Sequence, residues 1–168
     1  MKMKTLEEVL ADELKDIYSA ENQLIKALPK MAKAADSDDL RTAFEKHLEQ
    51  TRQHARRIEQ ICNDLNIKAR GKKCVGMQGL IEEGKKVLSE DSEPEALEAA
   101  LIGAAQRVEH YEIAAYGTAR AHARQLGFMK APDILGQTLE EEKQTDQKLT
   151  DLAENRINVQ AAMGHNGQ

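Results

Sequence analysis

Two glutamates in the second half of the chain occupy positions where a helix would be expected to carry apolar residues. An apolar stripe with alternating steps of three and four residues runs through this region, and Glu112 stands in it between Val108 and Ala115. Glu109 lies three residues before Glu112, so both carboxylates point to the same side of the helix. Burying two neighbouring carboxylates is costly unless protons or cations compensate their charge. The pair therefore predicts a buried polar site.

Polar residues also stand at inward helical positions in the first half of the chain. Glu21 interrupts the apolar stripe of the first helical segment near its middle. In the second segment, His47, Thr51 and His54 take three consecutive inward positions. A Glu-x-x-His metal motif would need a glutamate where this chain has Thr51, so the motif is incomplete. We take Glu21 and His54 as the candidate ligands of these two segments.

The fourth helical segment repeats the pattern. Glu142 and Asp146 lie four residues apart, between leucines of its inward stripe. Thirty-three residues separate Glu109 from Glu142, and the same spacing separates Glu21 from His54. This repeat predicts two helical hairpins whose middles meet at one level.

The polar residues of the four segments predict a metal centre in the interior of a helical bundle. The candidate ligands are Glu21, His54, Glu109, Glu112, Glu142 and Asp146. The five acids among them cannot all ionise in a dry core without compensation. Two divalent or trivalent cations would supply it, and a shell of carboxylates and imidazole suits iron, or else manganese. Two alternatives stay open: an acid at the edge of the core can reach solvent, and protons and waters can satisfy buried acids.

Four long helices must position these residues. Their expected ranges are 5–35, 38–65, 94–125 and 131–156. Residues 66–93 form a long crossover that carries a short extra helix at 77–88, a connection typical of ferritin-like bundles. The sequence therefore predicts an all-α, ferritin-like four-helix bundle over residues 1–158. Residues 159–168 include two glycines and are expected to form a flexible tail.

Composition excludes several classes of function. The chain has 168 residues, a net charge of −5 and no tryptophan. Its acidity argues against a nucleic-acid backbone or an anionic membrane as a partner, and no stretch has the apolar length of a membrane span. Cys62 and Cys74 fit no metal or disulfide pattern, which indicates reduced thiols. We therefore expect a cytoplasmic protein.

Several segments resemble a known family over almost the whole chain. They are Tyr18-Ser19-Ala20-Glu21, His47-Leu48-Glu49-Gln50-Thr51, Gly79-Leu80-Ile81-Glu82-Glu83, Val108-Glu109-His110-Tyr111-Glu112-Ile113-Ala114 and Thr138-Leu139-Glu140-Glu141-Glu142-Lys143. Together they resemble the YciF and YciE family of bacterial stress-response proteins, within the ferritin-like superfamily and distantly related to rubrerythrin. The likeness is stronger to the YciE branch. The resemblance implies a ferritin-like fold, a homodimer and a dimetal centre.

The resemblance also implies roles for individual residues. The positions that match the helix-borne glutamates of the superfamily are Glu21, Glu109 and Glu142. Glu112 resembles the additional acid of rubrerythrins on the same helix. The second helix departs from the superfamily pattern, because His54 stands for the expected glutamate and Arg57 for the usual histidine. On the last helix Thr145 takes the place of the expected histidine.

Three functions follow as hypotheses. In the first, a dimetal carboxylate centre handles oxygen or peroxide as its small-molecule substrate, with Tyr18 or Tyr111 hydrogen-bonding near the site. In the second, the protein binds iron without turnover and without forming a storage cage. In the third, it is a structural or binding stress protein whose polar cluster fixes the register of the bundle. Fold analogy favours the first hypothesis.

Overall fold

The computed structural model describes residues 3–164 and is all-helical over that range, which confirms the predicted fold class. The helices are α1 (Leu6–Ala34), α2 (Asp38–Asp64), α3 (Val75–Ser89), α4 (Pro94–Gln125), α5 (Ala131–Leu152) and α6 (Asn158–Gly164), with a π-helical segment (Ala153–Ile157) between the last two. No helix within residues 3–164 is both long and apolar enough to cross a membrane.

The four long helices form a bundle of two hairpins. Helix α1 packs along α2, and α4 packs along α5, while α1 also contacts α4 and α2 also contacts α5. The connections within the hairpins are short, at residues 35–37 and 126–130, as expected for antiparallel neighbours. The long connection between the hairpins carries α3, which packs against α4 and α1. The predicted crossover with a short extra helix is therefore present.

Local signals in the sequence explain where helices begin and end. The Thr5 side chain accepts a hydrogen bond from the Glu8 backbone N–H at 3.3 Å and so caps α1. Just beyond the C-terminal end of α4, Gly127 adopts a φ of 76°, which glycine reaches without a steric cost. The Phe128 N–H then donates to the Ala123 carbonyl at 3.1 Å and closes α4.

The apolar core is divided into two clusters with the polar residues between them. One cluster lies near the start of α1 and includes Leu10 and Ile61. The other lies near the end of α1 and includes Leu28, Phe44 and Leu101. These residues are at most 3% exposed. The polar positions are thus held at mid-height of the bundle, far from either end.

The last helical segment differs from the expected flexible tail. Residues 158–164, which include all of the described part of that tail, form α6, which contacts α4. The preceding π-helical segment keeps Ala153 and Ile157 buried against the core, and this burial holds the chain on the bundle beyond the predicted end of the helix at residue 156. Residues 165–168 lie outside the described part of the chain.

Helix α3 is attached to the bundle by a close contact and a set of hydrogen bonds. The Tyr111 hydroxyl donates to Asp16 Oδ2 at 2.7 Å and lies 3.0 Å from Cys74 Sγ, at the start of α3. A Cβ atom at Gly76 would lie 2.7 Å from the Tyr111 ring, closer than packed atoms tolerate. The absence of a side chain at Gly76 therefore lets α3 approach α4.

We predict opposite effects for alanine at two glycines of α3. Gly76→Ala should destabilise the protein, because the overpacking cost of about 1–3 kcal/mol exceeds the gain in helix propensity of about 1 kcal/mol. Gly79→Ala should be stabilising by up to about 1 kcal/mol, since a Cβ there meets no atom within 4 Å. Urea unfolding measures both changes. Equal stabilisation by the two variants would contradict the close contact with Tyr111.

Candidate metal centre

All four long helices contribute buried polar side chains to the middle of the bundle. The contributing residues are Glu21 of α1, His47 and His54 of α2, Glu109 and Glu112 of α4, and Glu142 of α5. None of these six residues is more than 3% exposed. Each stands on the inward stripe of its helix, where the flanking turns carry apolar residues that pack into the two core clusters. We refer to these six residues as the polar cluster.

The polar cluster contains two groups with the spacing of metal ligands. The first group is His47, Glu109, Glu112 and Glu142, and the second is Glu21, His54 and Glu142. Within each group the ligand atoms lie within 4.8 Å of one another. Glu142 belongs to both groups: its Oε1 lies 2.8 Å from His54 Nδ1, and its Oε2 lies 3.9 Å from His47 Nε2. One carboxylate thus faces two adjacent candidate sites.

Many polar atoms of the cluster have no hydrogen-bond partner in the part of the chain that the structure describes. They are Glu21 Oε2, His47 Nε2, His54 Nδ1, Glu109 Oε2, both oxygens of Glu112 and both oxygens of Glu142. His47 Nε2 lies only 2.9 Å from Glu109 Oε1, yet this contact lacks hydrogen-bond geometry. Buried polar atoms are rarely left without a partner. The arrangement therefore fits ligands that converge on cations better than it fits an internal hydrogen-bond network.

His54 is oriented by residues outside the cluster. Its Nε2 lies 2.8 Å from Glu141 Oε2, and Arg57 contacts the two oxygens of the same carboxylate at 2.7 and 3.0 Å. A proton on Nε2 donated to Glu141 leaves Nδ1 with a lone pair that faces the cluster. A carboxylate behind a histidine ligand is a common way to fix its tautomer and orientation. Glu141 lies outside the inward stripe that contains Glu142, yet the structure shows it half-buried behind His54.

A buried tyrosine contacts the cluster from the other side. The Tyr116 hydroxyl donates to Glu21 Oε1, and its ring meets the His54 ring edge-on at a centroid distance of 6.2 Å. From the sequence, Tyr18 or Tyr111 is the tyrosine expected in such a role. In the structure Tyr111 faces the crossover, and Tyr18 lies at the margin of an apolar cluster. Tyr116 is four residues after Glu112 on the same helical face, which was the available signal for it.

The environment favours protonated carboxyl groups when no cation is bound. Burial raises the pKa of all four carboxyls, and it raises that of Glu109 to about 8. Burial and the neighbouring carboxylates Glu142, Glu21 and Glu109 raise the pKa of Glu112 well above its usual range. The cluster therefore takes up protons unless other positive charge replaces them.

The two imidazoles respond in opposite directions. Burial lowers the pKa of His47, so this ring is neutral near pH 7. Burial alone would lower the pKa of His54 too, but contacts with Glu142 and Glu21 raise it to about 11. His54 is thus the one imidazole of the cluster that carries positive charge in the absence of a cation.

The structure brings five of the six predicted ligands together and leaves one outside. Asp146, one turn beyond Glu142, is half-buried between α4 and α5. Its Oδ1 accepts from Gln106 Nε2 at 3.2 Å, and its Oδ2 lies 3.1 Å from His110 Nε2. These partners hold the short side chain at the helix seam. We therefore omit Asp146 from the proposed ligand set.

His47 joins the cluster although it was not among the predicted ligands. It lies on the same face of α2 as His54, seven residues before it. Its Nδ1 lies 3.4 Å from Thr145 Oγ1. Thr51 takes the position where a Glu-x-x-His motif would carry its glutamate, and its hydroxyl donates to the His47 carbonyl at 2.8 Å. Two histidines spaced by seven on an inward stripe were the signal available in the sequence.

Comparisons with known proteins agree with this architecture. A family model described as a domain of unknown function, DUF892, matches residues 5–162. YciF of Escherichia coli (strain K12) is 51% identical over 162 residues, which cover 96% of this chain and 98% of YciF. The expected likeness to the YciE branch thus gives way to a likeness to YciF.

Solved structures show the same fold. The crystal structure of the E. coli stress protein YciF matches with a TM-score of 0.90 and 52% identity, covering 93% of this chain and 99% of that one. YcfI of Rhodopseudomonas palustris, described as a candidate structural protein, matches with a TM-score of 0.85 and 40% identity, covering 89% and 95%. A protein of Xanthomonas campestris is 20% identical with a TM-score of 0.75, covers 98% and 100%, and supports the fold alone.

The raised carboxyl pKa values predict that the metal-free protein loses stability as the pH rises. A glutamate titrates near pH 4.3 in the unfolded chain, whereas the pKa of Glu109 in the fold is about 8. Its contribution to stability is therefore complete at pH values below about 4.3 and is lost as the pH rises through about 8. His54, with a pKa of about 11, acts in the same direction at higher pH.

The measurement is the melting temperature in excess chelator at pH 6, 7, 8 and 9. We expect a steady fall over this range and a shallower fall in Glu109→Gln, which has no carboxyl to deprotonate. A melting temperature that stays constant or rises over this range would show that the cluster is already ionised at pH 6.

Proposed function

The chain belongs to the DUF892 family, and on this premise we propose that it is a stress-response protein with a two-metal carboxylate centre inside a ferritin-like bundle. The observation that carries the proposal is the position of Glu142, whose two oxygens face the two histidines of the cluster. A carboxylate in that position can bridge two ions.

The donor set fits two cations in charge and in chemistry. The four buried carboxylates supply four negative charges, which two divalent ions balance. Carboxylate and imidazole donors together suit iron first and manganese as the alternative. In the proposed assignment, His47, Glu109 and Glu112 would hold one ion, Glu21 and His54 would hold the other, and Glu142 would be shared.

The proposed activity is the handling of oxygen or peroxide. A bound pair of redox-active ions would supply electrons for the reduction of such a molecule. The protein's own contribution is positional: Arg57 and Glu141 fix the His54 ring, and Tyr116 holds Glu21 through its hydroxyl. The apolar clusters above and below keep bulk water from the ligands, which strengthens the electrostatic interactions within the site.

A non-catalytic role is the second candidate. A relative from R. palustris is described as a candidate structural protein, and protons can neutralise the carboxyls of the cluster, as their raised pKa values indicate. In that case the polar cluster would serve to fix the register of the bundle. A third candidate function is iron binding without turnover and without a storage cage, which shares the metal centre with the first candidate and the lack of catalysis with the second.

Two further properties are part of the proposal. We propose that the protein acts in the cytoplasm, supported by Cys62 and Cys74, which are both free and buried. We also propose a homodimer, which sedimentation of the purified protein tests directly.

Replacement of the shared carboxylate should remove both ions. We expect about two ions per chain by inductively coupled plasma mass spectrometry after anaerobic loading with ferrous or manganous ion. Glu142→Ala should leave well under one ion per chain, because each site loses a ligand. Asp146→Ala, on the same helix but outside the cluster, should keep both. Loss of metal in Asp146→Ala with retention in Glu142→Ala would reverse the ligand assignment.

Replacement of the carboxylate behind His54 should weaken metal binding without abolishing it. Glu141→Gln keeps the side-chain shape but removes the charge that orients the ring, so affinity should fall about 10–100-fold. Glu140→Gln is the matched control, because the neighbouring Glu140 is exposed and pairs with Lys143 at 2.9 Å. Competition with a chelating dye measures both affinities. An equal, small effect of the two variants would mean that Glu141 does not support the ligand.

Consumption of oxygen or hydrogen peroxide by the iron-loaded protein separates the candidate functions. Turnover that is lost in Glu142→Ala supports the redox proposal. Two bound ions per chain without turnover of either substrate support iron binding alone. A protein that takes up no ion, and that becomes more stable when Glu112 is replaced by glutamine, supports the structural role.

A further inference from the structure

A cleft of about 370 Å³ lies between α1, α3 and α4, outside the polar cluster. Its volume falls within the range of small-molecule sites, roughly 300–1,000 Å³. On its inner side the cleft ends on Leu24 and Val108, which belong to the buried core. None of the six residues of the polar cluster lines it, so the proposed metal chemistry leaves this cavity without a role.

The floor of the cleft is apolar. Helix α1 contributes Met31, and α3 contributes Leu80, Ile81 and Leu88. These four side chains are only half-buried, so part of each faces the open cleft. Apolar surface left accessible in a concave site favours association with an apolar group.

Lysines surround the mouth of the cleft. They are Lys26 and Lys30 of α1, Lys73 before α3 and Lys85 of α3. All four are exposed, and none forms an ion pair within residues 3–164. Lys72 differs, because its ammonium group pairs with Asp12 at 2.5 Å and with Asp16 at 3.2 Å. Four cations of the rim are thus available to a ligand.

The rim is positive although the chain as a whole is acidic. Glu82 is the carboxylate on the rim, and it accepts a hydrogen bond from Gln78 Nε2 at 2.9 Å. Since the whole chain carries a net charge of −5, the excess of lysines at this mouth is a local property. Such a concentration of one charge around a concave site attracts the opposite charge.

We propose that the cleft binds a single-chain amphipathic anion, a carboxylate with an unbranched apolar tail. The tail lies along the apolar floor between α1 and α3, and the carboxylate lies among the rim lysines. A second copy of the protein suits the cleft less well, because a stable protein interface buries about 800 Å² per partner on a broad surface. A cleft of about 370 Å³ with an apolar floor and four exposed lysines at its mouth matches a flexible chain with one charged end.

Isothermal titration calorimetry of the full chain with octanoate, decanoate and dodecanoate, each kept in its monomeric range, tests the proposal. Affinity should rise roughly three- to fourfold for each added methylene. Nonyltrimethylammonium, which has the same nine-carbon tail as decanoate but a cationic head, should bind at least tenfold more weakly. No binding of any carboxylate, or equal binding of the anion and the cation, would overturn the proposal.

Two glycines of α3 provide a matched pair of variants. A Cβ at Gly84 or at Gly79 meets no atom within 4 Å, but only Gly84 lines the cleft. Gly84→Leu should fill the cleft and lower the affinity for decanoate tenfold or more, whereas Gly79→Leu should leave it unchanged. Both variants gain similar helix propensity, and circular dichroism verifies that both fold. Decanoate binding that persists in Gly84→Leu would show that the ligand lies elsewhere.

The lysines and the oligomeric state complete the test. A Lys26→Gln, Lys30→Gln variant should bind decanoate several-fold more weakly and bind decanol as the original protein does, since only the head group changes. An equal loss for both ligands would contradict the assigned position of the carboxylate. If sedimentation shows that Gly84→Leu splits an oligomer that Gly79→Leu retains, the cleft is an interface between copies and the proposal is wrong.

Discussion

The structure depends on how the charge of four buried carboxylates is compensated. Glu21, Glu109, Glu112 and Glu142 converge in a space where water cannot solvate them. Their mutual repulsion and the loss of hydration exceed what the single protonated imidazole of His54 can offset. Either protons or metal ions must enter with them, and the same atoms serve both purposes. The affinity of the proposed centre for metal ions and the stability of the metal-free fold would therefore be linked.

The remainder of the bundle can be understood as support for that cluster. The two apolar clusters lie on either side of the polar cluster and stabilise the four helices without help from it. Around the polar cluster, a further set of contacts fixes side-chain direction: Arg57 and Glu141 behind His54, and Tyr116 beside Glu21. The rigidity that these contacts provide matters because side chains that are already held in place lose less conformational entropy when an ion binds. Compared with a flexible cluster, a rigid one would lower the stability of the metal-free fold more and would bind ions more tightly.

Hydrophobic periodicity predicted most of the fold and five residues of the cluster. A charged residue on an apolar stripe is visible from spacing alone, as Glu112 and Glu142 show. Spacing does not show which residue on a neighbouring helix a side chain contacts. Asp146 lies on the same stripe but binds Gln106 and His110, while Glu141, which is on the adjacent stripe, turns toward His54. These choices depend on packing between helices, which a single helical period does not contain. The burial of Ile157 at the end of the π-helical segment escaped prediction for the same reason.

The composition of α2 explains why the cluster carries four carboxylates. A Glu-x-x-His pattern with His54 as its histidine would add a fifth carboxylate at the position of Thr51. Here the threonine hydroxyl is satisfied by the His47 carbonyl, and His47 itself supplies a neutral donor one turn earlier. Exchanging a carboxylate for an imidazole keeps the number of donors and removes one negative charge. The total then equals the charge of two divalent ions, so a cluster that held the two proposed ions would be neutral, which is the state that a dry core tolerates best.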